Sequence, residues 1–368
     1  MRKLTIHICL TLIFLLGLSL HSKAQFTETR EINRSFKVSE DARIEITNKY
    51  GKVDINTWDK DSVKIHIKLK IEEKKLSRLQ KTLSNIDFNF NQTSHLLLIT
   101  TQIGKSNSGF ENELFRLKET VLNSGGSTTR IDYKVWLPKN NDLKIDNKFG
   151  DIYIDDYPGQ LRVVLSNGKL KANNLSGKSD LSILFGSASI TSLTDSRIKS
   201  SYSDWYVKDA GSTMISSKSS TIEFVKVNKF YAESRRDRFR IRETVDFETN
   251  GNFSDYRIEH IAERLRGSLS YGDFELSNAK QGFDLIKLTS RSTDISLGFT
   301  NTDIFNFKID RTKTSFDYDD KFTVEEDEVI SIRDSRNRTI GYLNKKQDKD
   351  EDKLIILSTG GSIRISSD

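Results

Sequence analysis

Cysteine occurs once in these 368 residues, proline and methionine twice each, and tryptophan three times. A lone Cys9 excludes a disulfide-stapled scaffold. Twenty glycines, far short of every third position, exclude a collagen-like chain. Ile6 to Leu20 is the one long apolar run, so a multi-pass membrane protein is excluded as well. Neither sign of charge dominates: 58 Lys and Arg face 52 Asp and Glu, for a formal +6. Hydrophobic residues make up 35%, lean for a globular domain. The length permits two domains or one elongated one.

What is present begins with a secretory signature over residues 1–24. Arg2 and Lys3 precede the apolar run, and Ser22 and Ala24 place small residues at −3 and −1 of a cleavage point before Gln25. The run is short for a membrane anchor. Cys9 lies inside it with no small-residue box ahead, unlike a lipidated cysteine. Cleavage would take Arg2, Lys3 and Lys23 and no acid, leaving 55 basic against 52 acidic residues and no cysteine at all. Thiol catalysis and sulfur-ligated metals are then excluded. Nucleic-acid binding, which calls for a strong basic excess, is not expected.

A repeat of 17 to 18 residues organises the rest. Short turns centre on Gly150, Gly168, Gly186, Ser203, Ser220, Asp237, Ser254 and Gly272, with looser copies at Thr293 and Thr314 and outlying ones at Gly51 and Gly361. Counted from each centre, positions +2 and +4 are hydrophobic in all twelve copies, as in Ile222/Phe224 and Phe239/Ile241, while +1 never is. This alternation describes a strand with one buried face. A second strand precedes the turn, with inward positions −7 and −5 such as Leu143/Ile145 and Ile286/Leu288; Thr213, Thr249 and Gly267 dilute that stripe in the middle copies. An antiparallel sandwich or up-and-down barrel also uses short alternating strands. A meander, however, needs no fixed residue type at a fixed phase, whereas stacked coils do. The pattern predicts an all-β parallel β-solenoid (β-helix).

The organisation expected is therefore a signal at 1–24, first strands and first coil at 25–55, an α+β capping insertion at 56–142, solenoid repeats at 143–318, a charged excursion at 319–353 and a final coil at 354–368. Leu76, Leu79, Leu83 and Ile86 mark one helical face within the insertion. Caps are needed because open solenoid edges invite further strand pairing.

The runs Ile46-Thr47-Asn48-Lys49-Tyr50-Gly51-Lys52-Val53-Asp54-Ile55 and Ile145-Asp146-Asn147-Lys148-Phe149-Gly150-Asp151-Ile152-Tyr153-Ile154 resemble the putative adhesin family of Gram-negative bacteria built from β-strand repeats and related to the head GIN domain. The closing Ser358-Thr359-Gly360-Gly361-Ser362-Ile363 fits too. The resemblance implies a secreted β-helical protein, in the periplasm, on the outer surface or outside the cell. It brings no catalytic or binding residues with it. The copies centred on residues 203 to 254 depart from the aromatic-Gly turn.

No constellation forces a chemistry. The mature chain's His66, His95 and His260 lie on unrelated segments, and no Gly-x-Ser-x-Gly elbow is present. No catalytic residue, cofactor or metal is expected. Asp255, Asp273 and Asp294 share position +1 in consecutive copies, where stacking invites either calcium or the plain reading of good turn residues balanced by Arg257 and Arg291. The −1 aromatics Tyr50, Phe149, Phe185, Tyr202, Phe253 and Tyr271 either form an exposed stacking ladder or, following the parity of −7, −5 and −3, plug the solenoid corner. The inward placement is the expectation. Arg236, Arg238, Arg240, Arg242 and Arg257 converge on one outward area, as an anion or glycan patch or as a salt-bridge ladder with Glu223, Glu243 and Glu259. The function expected is a non-enzymatic, adhesin-like solenoid binding an anionic surface polysaccharide or an envelope protein. A periplasmic structural or sensory role ranks next and a carbohydrate-active β-helix enzyme third. Intact mass of exported protein should correspond to a chain starting at Gln25; retention of residues 1–24 would contradict the signal reading.

Overall fold

The computed structural model describes residues 25–104, 127–347 and 352–367. Residues 1–24, where the signal is expected, and residues 105–126, 348–351 and 368 lie outside them. The chain forms a parallel β-solenoid in which each coil hydrogen-bonds to the next in register. Ile190, for example, is paired with Ala172 on one side and Val207 on the other.

The alternation seen in sequence becomes the core. Every +2 and +4 side chain is buried except Phe316 and Tyr318, which belong to the outermost coil at one end and have no further coil stacked on them. The diluted middle of the −7/−5 stripe is compensated from the facing strand. Trp205, Phe224, Phe239, Tyr256 and Phe274 fill the space that Ser196, Thr213, Thr249 and Gly267 leave. The small polar groups are satisfied internally: Ser196 and Thr213 share a 3.0 Å hydroxyl contact, and Thr249 Oγ1 donates to the Tyr256 hydroxyl. The Trp205 indole N–H reaches Ser200 Oγ at 2.8 Å. Buried polar atoms paired in this way avoid a penalty of about 1–3 kcal/mol each.

The turns share one backbone device. The −1 residue of all twelve copies has a positive φ, between 47° at Ser292 and 64° at Tyr50, with Gly360 at 73° in the C-terminal copy. At position 0 two solutions alternate along the stack. Where Gly150, Gly168 or Gly186 sits there, an added Cβ would collide with the carbonyl oxygen of the glycine one coil earlier. Where serine or aspartate sits there, the side chain is tucked into the turn and accepts the previous copy's amide: Ser203 N–H to Ser220 Oγ, Ser220 N–H to Asp237 Oδ1, Asp237 N–H to Ser254 Oγ. Departure from glycine thus preserves the coil, because a hydroxyl or carboxylate oxygen supplies the missing partner. Burial pushes the Asp237 carboxyl up, against three hydrogen bonds that favour its charge.

Sequence order and spatial order part company at both ends. The first coil in sequence, Arg43–Lys49 and Val53–Trp58, is flanked on its outer side by Leu96–Ile103 and Thr128–Pro138, which run parallel to it. Beyond these the pairing turns antiparallel, through Ile86–Gln92 on one edge and Ser62–Glu73 then Phe26–Lys37 on the other. The helix Leu76–Ser84 buries Leu79 and Leu83 against this cap. At the opposite end, the C-terminal coil Asp352–Thr359 and Ser362–Ser367 is inserted between Leu285–Phe299 and the pair Phe305–Thr312 and Ser315–Tyr318. The last coil in sequence is therefore next to last in space. Arg336–Leu343 and Phe322–Ser331 then close that end as antiparallel strands.

Ile222 is fully buried and Glu223, the next residue, faces outward. Ile222→Asp should cost several kcal/mol, about the burden of an unpaired buried charge, whereas Glu223→Ala should stay within ~0.5 kcal/mol. Thermal unfolding of both variants checks the phase; equal shifts would refute it.

Candidate binding surface

The −1 aromatics point outward, contrary to the parity expectation. Phe149, Phe185, Tyr202, Phe253 and Tyr271 are between 43% and 53% exposed, and only Tyr50 is buried. The cause is the left-handed backbone at that position, which interrupts the strand alternation on which parity rests. The side chain that would have faced the core turns to solvent, and the next residue enters the turn.

Stacking places these rings above one another. Tyr50 and Phe149 lie 5.5 Å apart at 14°, Phe185 and Tyr202 5.1 Å at 15°, Phe253 and Tyr271 4.8 Å at 10°. The separations match the ~4.8 Å step between paired strands. Asn167 interrupts the series once, and Ser219 with Arg236 interrupts it a second time. Cations sit over the rungs: Lys49 Nζ is 5.1 Å from the Tyr50 centroid, Lys218 Nζ 5.8 Å from Tyr202, and the Arg236 guanidinium 5.9 Å from Phe253. One flank of this spine, position −2, carries Lys49, Lys148, Lys218, Arg235 and Arg291 and no acid; the other, position +1, carries Asp151, Asp204, Asp255, Asp273 and Asp294 among others. A flat apolar strip with polar margins of both signs results.

Left-handed φ is costly for such residues. A non-glycine side chain there loses about 1–2 kcal/mol, and bulky residues are outliers. Asparagine tolerates the conformation, and Asn167 shows that it fits this turn. Five aromatics held there without burial carry strain that ring stacking only partly returns, and strain of this kind concentrates where a surface binds.

The arginines also come together, beside the spine. The parallel register sets Arg240 directly opposite Arg257 and Arg238 opposite Asp255. Arg242 is paired with Glu259 at 3.5 Å and Arg257 with Glu275 at 2.8 Å. Arg236, Arg238 and Arg240 have no carboxylate within 4.0 Å among the described residues. The salt-bridge ladder therefore covers two of the five.

The aspartate column forms, without Arg257, which turns to Glu275. Asp273 stands opposite Asp294, its amide donates to Asp255, and Ser362 Oγ donates to Asp294. Burial, then the charges of Asp255 and Asp294, raise the Asp273 carboxyl above its usual range. Among the described residues no group of three or more His, Cys, Asp or Glu is arranged to hold a metal ion. His66 faces Glu31 and His95 faces Asp41, on separate elements. His260 lines an open groove of about 560 Å³ with Val227, Glu243, Thr244, Ile261 and Lys280. Its signal in sequence is the change of coil length: spacings of 17 and 18 residues give way to 21 between Gly272 and Thr293, the longer coil that contributes Lys280 to the groove.

No family model matches the chain, so the head GIN resemblance of its turns stands without one. No curated protein matches either. Among solved structures, a putative cell adhesion protein from Clostridium sporogenes aligns with 93% of this chain and 100% of its own, at 9% identity and a TM-score of 0.20. A putative adhesin from Bacteroides fragilis aligns with 92% of this chain and 97% of its own, at 12% identity and a TM-score of 0.18. At such scores the backbones diverge too far for either to carry an argument about this chain. Among the described residues no helix is long and apolar enough to cross a membrane.

If the rings are surface features, replacing them must be cheap. Phe185→Asn together with Tyr202→Asn, which copies the Asn167 turn, should change stability by no more than about 1 kcal/mol, since a stacked pair contributes ~0.5–1.5 and relief of strain offsets it. Ile183→Ala, two residues earlier and buried, should cost about 2–5 kcal/mol. Denaturant unfolding of the two variants checks this; similar losses would mean the rings are packed.

Proposed function

We propose that this protein is an exported, non-enzymatic, adhesin-like solenoid that holds a cell-surface polysaccharide along its turn corner. One observation carries the reading: five exposed aromatic rings kept at left-handed positions, three of the ladder's contacts being ring on ring. Aromatic rings meet the apolar faces of sugar rings while polar margins take up hydroxyl groups, and the strip runs along the solenoid axis as an extended polymer would. Rigid rings already ordered before binding lose little conformational entropy on contact. Several weak contacts repeated along one strip then add through effective concentration.

The test is retention of the mature protein on immobilised polysaccharide extracted from the producing cell's own surface. Phe185→Asn, Tyr202→Asn, Phe253→Asn and Tyr271→Asn combined should abolish retention with stability kept. Retention equal to that of the parent would overturn the proposal.

A further inference from the structure

We infer that the polymer is anionic and that Arg236, Arg238 and Arg240 hold its acidic groups. The inference rests on the polysaccharide reading above and narrows it.

Three observations lead there. First, the three arginines are exposed and lack carboxylate partners, whereas Arg242 and Arg257 beside them have their own. Arg240 and Arg257 stand directly opposite in adjacent parallel strands, an arrangement that costs stability when both carry the same charge. Arg257 turns to Glu275 on its far side, which leaves the Arg240 guanidinium open. Secondly, the three continue the aromatic spine. Arg236 occupies the ladder position itself, between Ser219 and Phe253, with its guanidinium over the Phe253 ring. Arg238 and Arg240 follow on the outward face of the same strand, about 6.6 Å apart by strand geometry. A chain lying on Phe253 and Tyr271 passes Arg236 one coil further on. Thirdly, Lys218 and Arg235 on the −2 flank make this the most basic stretch of the corner, while the gap at Asn167 is bordered by Lys169 and Asp151 together.

The planar fork of arginine matches carboxylate, sulfate and phosphate oxygens in pairs, so such groups on a sugar are the chemistry that fits. A polynucleotide fits less well. Its charge is continuous, and here Glu223 and Asp255 stand directly opposite Arg240 and Arg238. The chain outside the signal is nearly neutral as well. Acidic groups spaced by neutral rings match a short basic patch set on an aromatic strip.

The experiment uses the full mature chain against three immobilised probes: dextran, dextran sulfate with the same backbone, and duplex DNA. The parent should bind dextran sulfate most tightly, with affinity falling roughly tenfold or more between about 50 and about 500 mM salt. Arg236→Gln with Arg238→Gln and Arg240→Gln should lose most of that affinity and its salt dependence, at an unchanged melting temperature. Arg242→Gln with Arg257→Gln should bind like the parent. Undiminished binding by the triple variant, or DNA bound as tightly as dextran sulfate, would overturn the inference. The two proposals separate cleanly. Loss in the asparagine ladder variant but not in the triple variant leaves the polysaccharide reading standing and removes the arginine site. Loss in the triple variant alone supports the arginine site and removes the ladder.

Discussion

A left-handed residue before each turn sets the geometry on which the rest of this molecule depends. It reverses the chain within one position, so that the strands on either side of the turn can both present their inward faces to one narrow interior. Because all twelve copies use it at the same phase, every coil is congruent with its neighbours. The parallel hydrogen-bond ladder then holds its register at the turn corner, and the shifts it does contain, near Leu175 and Thr244, fall away from that corner. The core follows from that congruence: a large ring in one strand is met by a small residue in the facing one, as Tyr256 is by Thr249, or edge-on by another ring, as Phe224 is by Phe230. The outer corner follows from it as well. A side chain forced outward at one level stands over the one at the next, so a local backbone requirement becomes a column of side chains, aromatic in three stacked pairs.

Much of the fold was legible because period-two burial and the spacing of turn residues are local properties. Ile222, Phe239 and their counterparts announce the buried face, and Gly150 and Gly168 announce close approach. The direction of Phe185 was not legible. Parity counting assumes an unbroken strand, and nothing in the residue type reveals a positive φ; an aromatic is among the last residues one would assign it. The position of Leu354–Ile365 was hidden for another reason. Its alternation is that of any coil, and the pairing that places it between Ile286 and Phe307 is a long-range matter of which edges remain open. The convergence of Arg240 with Arg257 was legible from phase alone. Which arginines are neutralised was not, since Glu259 and Glu275 are within reach of several partners and side-chain geometry decides among them.

Charge and hydrophobicity are thus separated by surface rather than by segment. Salt bridges such as Arg264 with Asp246 and Arg338 with Asp310 tie neighbouring strands together on the flat faces. The corner is treated differently: Lys49, Lys218 and Arg236 lie over its rings, and Arg236, Arg238 and Arg240 stand together where the ladder is interrupted. A near-neutral protein can therefore carry a sharply local electrostatic feature, which in salt is felt over only about 8–10 Å. Recognition on this scale depends on contact and not on attraction from afar.

The inserted C-terminal coil bears on how the chain reaches its final form. Phe305–Thr312 and the hairpin beyond it leave the ribosome before Asp352–Ser367 and can pair with each other, yet they have no strand pairing to the body of the stack until those residues arrive. The far end of the stack is consequently keyed to the arrival of Asp352–Ser367. A chain cut before Asp352 lacks the layer that joins the cap to the body, so the far cap stands or falls with a segment distant from it in sequence.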